Sequence, residues 1–503
     1  MELTGLFIDG EFVAAEGSAT YPSINPADGQ PWCQFAAASS GDVDRAVAAA
    51  RASFDSGIWR DRSAPERAAV LRRAADLFSE YHGEIAMAEI QDSGATLRKA
   101  NGADLIAANL SFQEYANMIE ATPLEQRAEE FFPIASENII RREPVGVVAA
   151  IVPFNFPLAA ASWKVAPALA AGCSMVLKPS PYTPATALWI AKVMKEAGLP
   201  DGVLNVITGP GPEIGAQLVE HPDVDKVAFT GSTHVGRIVG ASAGRQIKRC
   251  MLELGGKSAN IILDDANLDV AVPVALFATF FHSGQVCESG TRILVPRNMH
   301  DEFVQRLVDE AARVKLGHPM EMETTMGPLV SAEQLANSKR YVALAIDEGA
   351  TVACGGEEPE DLKALGGYYF PPTILTDVTN EMRIAQEEVF GPVVVVIPYD
   401  DEADAVRIAN DSPFGLAAAL WTQDEARALR LARHLKAGTI WINDYHMISP
   451  KYPFGGFKAS GVGRELGLAG LDAYFELKHI HVARTNSLEE KHYLPLTLSD
   501  LDL

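Results

Sequence analysis

The chain has 503 residues, 48% of them hydrophobic and 21% charged; this suits a folded α/β protein of two or three domains and excludes a single small module or a disordered or fibrous chain. A formal net charge of -24 argues against a nucleic-acid partner, whose phosphates it would repel. Five scattered cysteines (Cys33, Cys173, Cys250, Cys287 and Cys354), with no CxxC and no histidine at metal-ligand spacing, support neither a disulfide framework nor a metal site.

The N-terminus, MELTGLFIDGEFV, carries acids where a secretory signal carries bases, and Lys164, Pro273 or glycines interrupt the apolar stretches before membrane length. The chain is therefore expected in the cytoplasm, off the membrane. The first clear element lies in SAPERAAVLRRAADLFSEYHGEIA, where Ser63 and Glu66 form a capping box, Pro65 sits in the first turn and apolar residues recur at helical spacing. One long amphipathic helix is predicted there. From Val145 short apolar runs alternate with helical stretches: GVVAAIVP, a helix over 158–171, SMVLKPS, a helix over 184–197, VLNVITG, a helix near 213–219, KVAFTGS and a helix near 235–243. Continuously apolar strands separated by helices predict a doubly wound, Rossmann-like parallel sheet covered on both faces.

After Glu253 the alternation restarts with ANIILDD, a helix over 270–281, RILVP and a helix over 301–314. VVVVIPY, a helix near 403–409, LAAALWT and GTIWIND continue it, giving a second α/β region that carries Cys287 across a cleft from the first. ENIIRREPV and AYFELKHIHVAR fit neither rhythm and are expected to pair as a projecting sheet that builds an oligomer.

Three residue types, remote in sequence, suit one chemistry. An aldehyde carbon must become tetrahedral before it yields hydride, and a thiolate achieves this while leaving a thioester that stores the acyl group. Cys287, in FFHSGQVCESGTR, lies just beyond a predicted helix end; taken alone, a cysteine among small and apolar neighbours is more often inert packing. Glu253 ends a strand-like run before Gly255 and Gly256, at the sheet edge where open α/β folds gather catalytic groups, and partial burial would make it a base for water. The same pattern describes a solvated acid before a turn. Asn155, in the PFNFP turn, can donate to an oxyanion together with the Cys287 N–H, or simply make the turn. Lys178 ends SMVLKPS and FTGSTHVG leads into a helix whose N-terminus suits a pyrophosphate; alone, Lys178 reads as a surface cation. Glu388 and Phe390, in QEEVFGP, offer a carboxylate for ribose hydroxyls and a ring for nicotinamide.

Together PFNFPL, KPS, FTGSTHVG, LELGGKS, FHSGQVC, QEEVFGPV and PFGGFKASGVGRELG resemble, in order and spacing, the aldehyde dehydrogenase superfamily from about Leu6 to Arg484. The resemblance implies an NAD(P)-dependent enzyme of the hydrolytic type, with Cys287 as nucleophile, Asn155 as oxyanion donor, Glu253 as base and Lys164 near the reaction centre; Glu465 matches an acid proposed in a proton path. It implies cofactor binding by Ile151, Pro153, Phe154, Lys178, Ser180, Pro181, Gly231, Ser232, Val235, Leu254, Glu388 and Phe390. An aldehyde tunnel is expected from Phe156, Trp163, Phe281, Phe454 and Ile448, suiting medium-sized aliphatic or aromatic aldehydes. Pro181 stands where many NAD-preferring members carry a glutamate that repels a 2′-phosphate, so NAD is expected with NADP also accepted. Glu288, beside the nucleophile, would disfavour an anionic semialdehyde if it faced the tunnel.

The expected division is a dinucleotide-binding domain over 1–123 and 145–253, a catalytic domain over 254–454, a β-arm over 124–144 and 470–486 that joins a homodimer or homotetramer, and a C-terminal extension over 487–503. In that extension Tyr493, Leu494, Leu496 and Leu498 are expected to pack on a neighbouring subunit, a disordered tail being the alternative. The alternatives left by the sequence are a CoA-acylating dehydrogenase, which would lack use for Glu253, and a catalytically idle binding or structural protein on the same fold.

Overall fold

The computed structural model describes residues 3–129, 135–484, 486–488 and 490–498. Two large sheets organise it. In the first, Arg249–Glu253, Lys226–Thr230, Val147–Ile151, Ser174–Lys178 and Leu204–Val206 lie side by side and parallel. The short strands Gly461–Val462 and Leu6–Ile8 with Glu11–Val13 close its two edges in antiparallel fashion. Chain order runs outward in both directions from Val147–Ile151, so the sheet has a topological switch beside that strand, where open α/β folds leave a ligand crevice.

Helices Pro157–Ala171, Ala185–Glu196, Pro212–Glu220 and Thr233–Arg245 make the crossovers. Both faces of the strands are covered: Val148 and Ala150 enter one apolar core, and Val147 and Ala149 enter another. Alternation of side chains along an extended strand requires this when both faces are buried.

The second sheet has the order Thr351–Cys354, Thr373–Thr376, Val393–Tyr399, Arg292–Pro296, Ala259–Ile262, Ala417–Trp421 and Thr439–Ile442, parallel throughout except at the first pair. Its core also divides by strand parity, Val393 and Val395 to one side and Val394 and Val396 to the other.

The doubly wound α/β fold expected from the apolar runs is therefore present. Several elements differ from expectation. The predicted long helix is two, Ala64–Glu80 and His82–Ser93, with Tyr81 out of helical geometry between them. Its capping box is made, Ser63 N–H donating to Glu66 Oε2 at 2.8 Å and Glu66 N–H to Ser63 Oγ at 3.4 Å. The helix predicted over 270–281 spans Leu268–Phe280. A tight turn follows in which His282, Ser283 and Gly284 all have left-handed backbone angles.

The two outlying segments do pair: Phe475–Ala483 runs antiparallel to Ser136–Pro144 over its whole length, and Glu125–Ala128 flanks the latter. Residues 130–134, 485, 489 and 499–503, parts of the expected arm and extension, lie outside the described residues. In the described tail Leu494–Leu496 forms a single turn, and Tyr493, Leu496 and Leu498 are exposed on the isolated chain. Among the described residues no helix is long and apolar enough to cross a membrane.

Candidate active site

The parallel strands end at one edge, and their carboxyl ends carry the residues singled out from sequence. Ile151 is level with Lys178 and Thr230 with Glu253 in the register, so the segments that follow (Pro153 to Asn155, Pro179 to Pro181, Gly231 and Ser232, and Leu254) emerge together. They line a cleft of about 1360 Å³. Ile151, Pro153, Phe154, Asn155, Lys178, Ser180, Pro181, Gly231, Ser232, Val235, Glu253, Leu254, Cys287, Glu388 and Phe390 all border it. Lys164 does not border it but lies behind, on the helix Pro157–Ala171.

Lys178 is buried, contrary to its reading as a surface cation. Among the described residues its ammonium meets the carbonyls of Pro179 at 3.5 Å and Gly209 at 3.4 Å, and burial lowers its pKa to about 8. Ser232 caps Thr233–Arg245, its Oγ accepting from Val235 N–H at 3.3 Å, so that helix opens onto the cleft. Glu388 accepts from Gly256 N–H at 3.0 Å, and burial raises its carboxyl to about 7. The Phe390 ring stands edge-on to Phe154, centroids 5.6 Å apart.

Close approach explains the glycine pair after Glu253. A Cβ on Gly255 would collide with the Glu388 carboxylate, and one on Gly256 with the Cys287 carbonyl oxygen. The strand end, the Cys287 loop and the Glu388 loop can meet only because those two positions have no side chain.

Asn155 Nδ2 donates to the Gln285 carbonyl at 2.7 Å, two residues before Cys287. The amide is thus held against the loop that carries the thiol, with its second N–H unspent on that bond. Behind it Lys99, buried just before the π-helical turn Ala100–Asp104, donates to Asp104 at 2.8 and 2.9 Å and to the Asn155 carbonyl at 3.3 Å. Its ammonium also lies 4.1 Å from the Phe156 ring centre.

Glu253 is buried, and neither carboxylate oxygen has a hydrogen-bond partner among the described residues. Burial first, and the charge of Glu465 second, push its pKa well above the usual range, with Lys164 pulling the other way. Lys164 is itself paired with Glu465 and donates to Thr230 Oγ1 at 2.6 Å. Cys287 is half-buried, and burial together with the Glu288 carboxylate pushes its thiol well above the ordinary value.

None of the five expected tunnel residues borders that cleft. Trp163 and Phe454 pack with ring centroids 5.9 Å apart, and both share an apolar cluster with Cys287 and Ile448. Phe156 and Phe281 form a second pair at 6.0 Å. Glu288 does not stand free among these rings: its carboxylate is spent on the Cys287 thiol and on His446. The His446 partner, like Lys99 and the π-helical turn after it, was not singled out in the sequence. His446 lies 158 positions from Glu288, and nothing in NDYHMISP marks it.

Comparison with known proteins agrees with this geometry. The Aldehyde dehydrogenase family model matches residues 12–480. The chain is 43% identical over 477 residues to a betaine aldehyde dehydrogenase of Bacillus subtilis, covering 95% of this chain and 96% of that one. It is 45% identical over 480 residues to an aldehyde dehydrogenase of Emericella nidulans, covering 95% and 94%. Among solved structures, betaine aldehyde dehydrogenase of Staphylococcus aureus in complex with NAD+ superposes with a TM-score of 0.94 at 41% identity, covering 96% of each chain. A Bacillus cereus aldehyde dehydrogenase superposes at 0.93 with 44% identity, covering 96% of this chain and 97% of that one. With a single match spanning both sheets and the cleft between them, the chain belongs to the aldehyde dehydrogenase family.

Proposed function

We propose that the protein oxidises medium-sized aldehydes to carboxylic acids with NAD, and with NADP at lower efficiency, through an acyl group carried on Cys287. The observation that carries this is the convergence of Cys287, Asn155 and Glu253 on one cleft that also holds Lys178, Ser232, Glu388 and Phe390.

The cleft fits a dinucleotide. Lys178 offers an ammonium that, among the described residues, makes long contacts to backbone carbonyls, the Ser232-capped helix presents its N-terminus to a pyrophosphate, and Glu388 and Phe390 offer a carboxylate and a ring at the thiol end. Pro181 brings no negative charge to the wall near Lys178, the basis for acceptance of a 2′-phosphate. Bound there, NAD(P) supplies the hydride acceptor that turns a thiohemiacetal on Cys287 into a thioester.

This chain's residues do the rest. The Cys287 thiol gives its proton to a water in the cleft as Sγ bonds to the aldehyde carbon, and the C=O π pair moves to oxygen, where Asn155 Nδ2–H and the Cys287 N–H stabilise it. Glu253, unpaired and raised in pKa, takes a proton from water; the water oxygen attacks the thioester carbon and sulfur leaves with the bonding pair. The presence of this base favours hydrolysis over transfer to a CoA thiol. Trp163, Phe454, Phe156 and Phe281 supply an apolar wall for the aldehyde chain. The arm of Phe475–Ala483 and Ser136–Pro144 is the proposed subunit-joining element of a homodimer or homotetramer, and a reducing cytoplasm suits a thiol nucleophile.

The test is a nucleotide-reduction assay with hexanal, benzaldehyde, betaine aldehyde and succinic semialdehyde, run with NAD and NADP. The neutral aldehydes are expected to lead, with both nucleotides reduced and NAD faster. Cys287→Ala should lose at least about a thousandfold in kcat. Undiminished oxidation by the alanine variant would end the covalent scheme, and no turnover with NADP would end the reading of Pro181.

A further inference from the structure

Glu288 follows the nucleophile directly and is as buried as a core residue, with 5% of its surface exposed. Both carboxylate oxygens are engaged. The Cys287 thiol donates to Oε2 at 3.0 Å, and His446 Nδ1 lies 3.0 Å from Oε1. His446 Nε2 lies 3.1 Å from the Ala278 carbonyl oxygen. A carbonyl can only accept, so Nε2 carries a hydrogen, and the short Nδ1 to Oε1 contact then requires one shared proton between ring and carboxyl.

The ring cannot swing away. Phe277 stands edge-on to it at 5.2 Å and Tyr445 at 4.9 Å, while Phe281 packs at 5.8 Å. The Tyr445 hydroxyl also donates to the Glu288 backbone carbonyl at 2.8 Å, which fixes the main chain beside the thiol. Cys287, Glu288 and His446 thus form a line of three polar groups in an apolar box, on the aldehyde side of the site. The proposed chemistry assigns no task to the last two.

We infer that Glu288, oriented by His446, sets the reactivity of Cys287 by holding it as a hydrogen-bonded thiol in the free enzyme. A thiolate at 3.0 Å from a carboxylate would face like charge in surroundings of low dielectric, so the proton stays on sulfur, between the two. His446 limits that effect by sharing its proton with the carboxylate, leaving less charge facing the thiol. Burial acts to raise the Glu288 carboxyl, and the bonds from His446 and Cys287 outweigh it, so it stays below the usual range and keeps its charge. The thiol also feels Glu388 and Glu253 from the cleft side, both acids, and neither is in hydrogen-bond contact with it. The consequence is a nucleophile screened from oxidants and adventitious electrophiles, whose ionisation burial opposes and one neighbouring side chain, with that neighbour's partner, tunes further.

This inference rests on Cys287 being the nucleophile, and its test is independent of turnover. Iodoacetamide alkylates a thiolate with loss of iodide, so its rate against pH reports thiol ionisation without aldehyde or nucleotide; peptide mapping restricts the reading to Cys287. Glu288→Gln keeps the shape and removes the charge. The pH midpoint should fall and the rate near pH 8 rise about tenfold, the change that a one-unit fall produces. His446→Gln leaves the carboxylate fully charged against the thiol, so its midpoint should rise and its rate fall. Opposite movements in the two variants are the signature, which general loosening of the site would not produce. An unmoved or raised midpoint in Glu288→Gln overturns the inference, as does an unmoved or lowered one in His446→Gln; should either variant fail to fold, the other still decides. Persistent aldehyde oxidation by Cys287→Ala would instead remove the nucleophile reading itself, a distinct result.

Discussion

Glu253 shows how far one side chain can be taken from its behaviour in water. A carboxyl whose folded-state pKa is raised is stabilised there in its neutral form. That contribution is complete below the ordinary carboxylate value and is lost as pH rises through the folded-state value. Glu253→Gln removes the charge and keeps the shape, so the variant should melt above the wild type in alkaline buffer, and the two should converge in acid. The same variant should lose about 10²–10⁴ in steady-state turnover yet keep a first-turnover burst of reduced nucleotide, because the proposed base acts after the thioester forms. A lost burst in rapid mixing would place Glu253 before that step instead. At this scale the sequence made Cys287, Glu253 and Asn155 legible, since each sits in a segment whose ending at a strand or turn can be read locally. Lys178 misled because its burial comes from Gly209 and the cleft wall, which local sequence does not contain. The Glu288 and His446 partnership was invisible for the same reason: only the folded chain brings NDYHMISP to Glu288, beside Cys287.

Elements decide how closely those residues meet. The long apolar strands could be read as buried on both faces because nothing polar interrupts them, and their helices followed from the alternation. Strands of three residues such as Leu6–Ile8 and Glu11–Val13 carry too little pattern to be read, and the break at Tyr81 has no proline and no adjacent glycine to announce it. What the pattern also could not convey is the tolerance between elements. The end of Arg249–Glu253 and the loop of Cys287 are in contact through Gly256, where a Cβ would strike the Cys287 carbonyl oxygen. Gly256→Ala must push Cys287 away from Asn155 and Glu253 without touching any of the three side chains. Displacement of about 1 Å costs about a hundredfold in rate, and overpacking costs about 1–3 kcal/mol in stability. The expected outcome is therefore a folded enzyme, by circular dichroism, with kcat/KM reduced about a hundredfold. Full activity in this variant would mean that the spacing of strand end and loop is not what positions the thiol.

At the scale of the whole molecule, the feature that a lone chain does not account for is the arm. Phe475–Ala483 and Glu125–Ala128 form the two edges of a three-stranded sheet, and Leu477 and Val482 are exposed on the first of them. An uncovered strand edge with apolar side chains is a site for pairing with another chain. The tail adds exposed Leu488, Tyr493, Leu496 and Leu498, more apolar surface than a solvated terminus would keep. The net charge of -24 opposes indiscriminate association, so contacts of this kind must be specific and short-ranged to win. Light scattering coupled to size exclusion should then give two or four times the mass of one chain. Leu477→Asp, which places a charge on the exposed edge strand, should shift that mass toward the single chain at micromolar concentration, because burying an unpaired carboxylate in an interface costs several kcal/mol unless it is compensated. A wild-type protein that elutes as one chain would refute the assignment of the arm, and a Leu477→Asp variant with unchanged mass would move the subunit contact elsewhere, with the tail the next segment to cut.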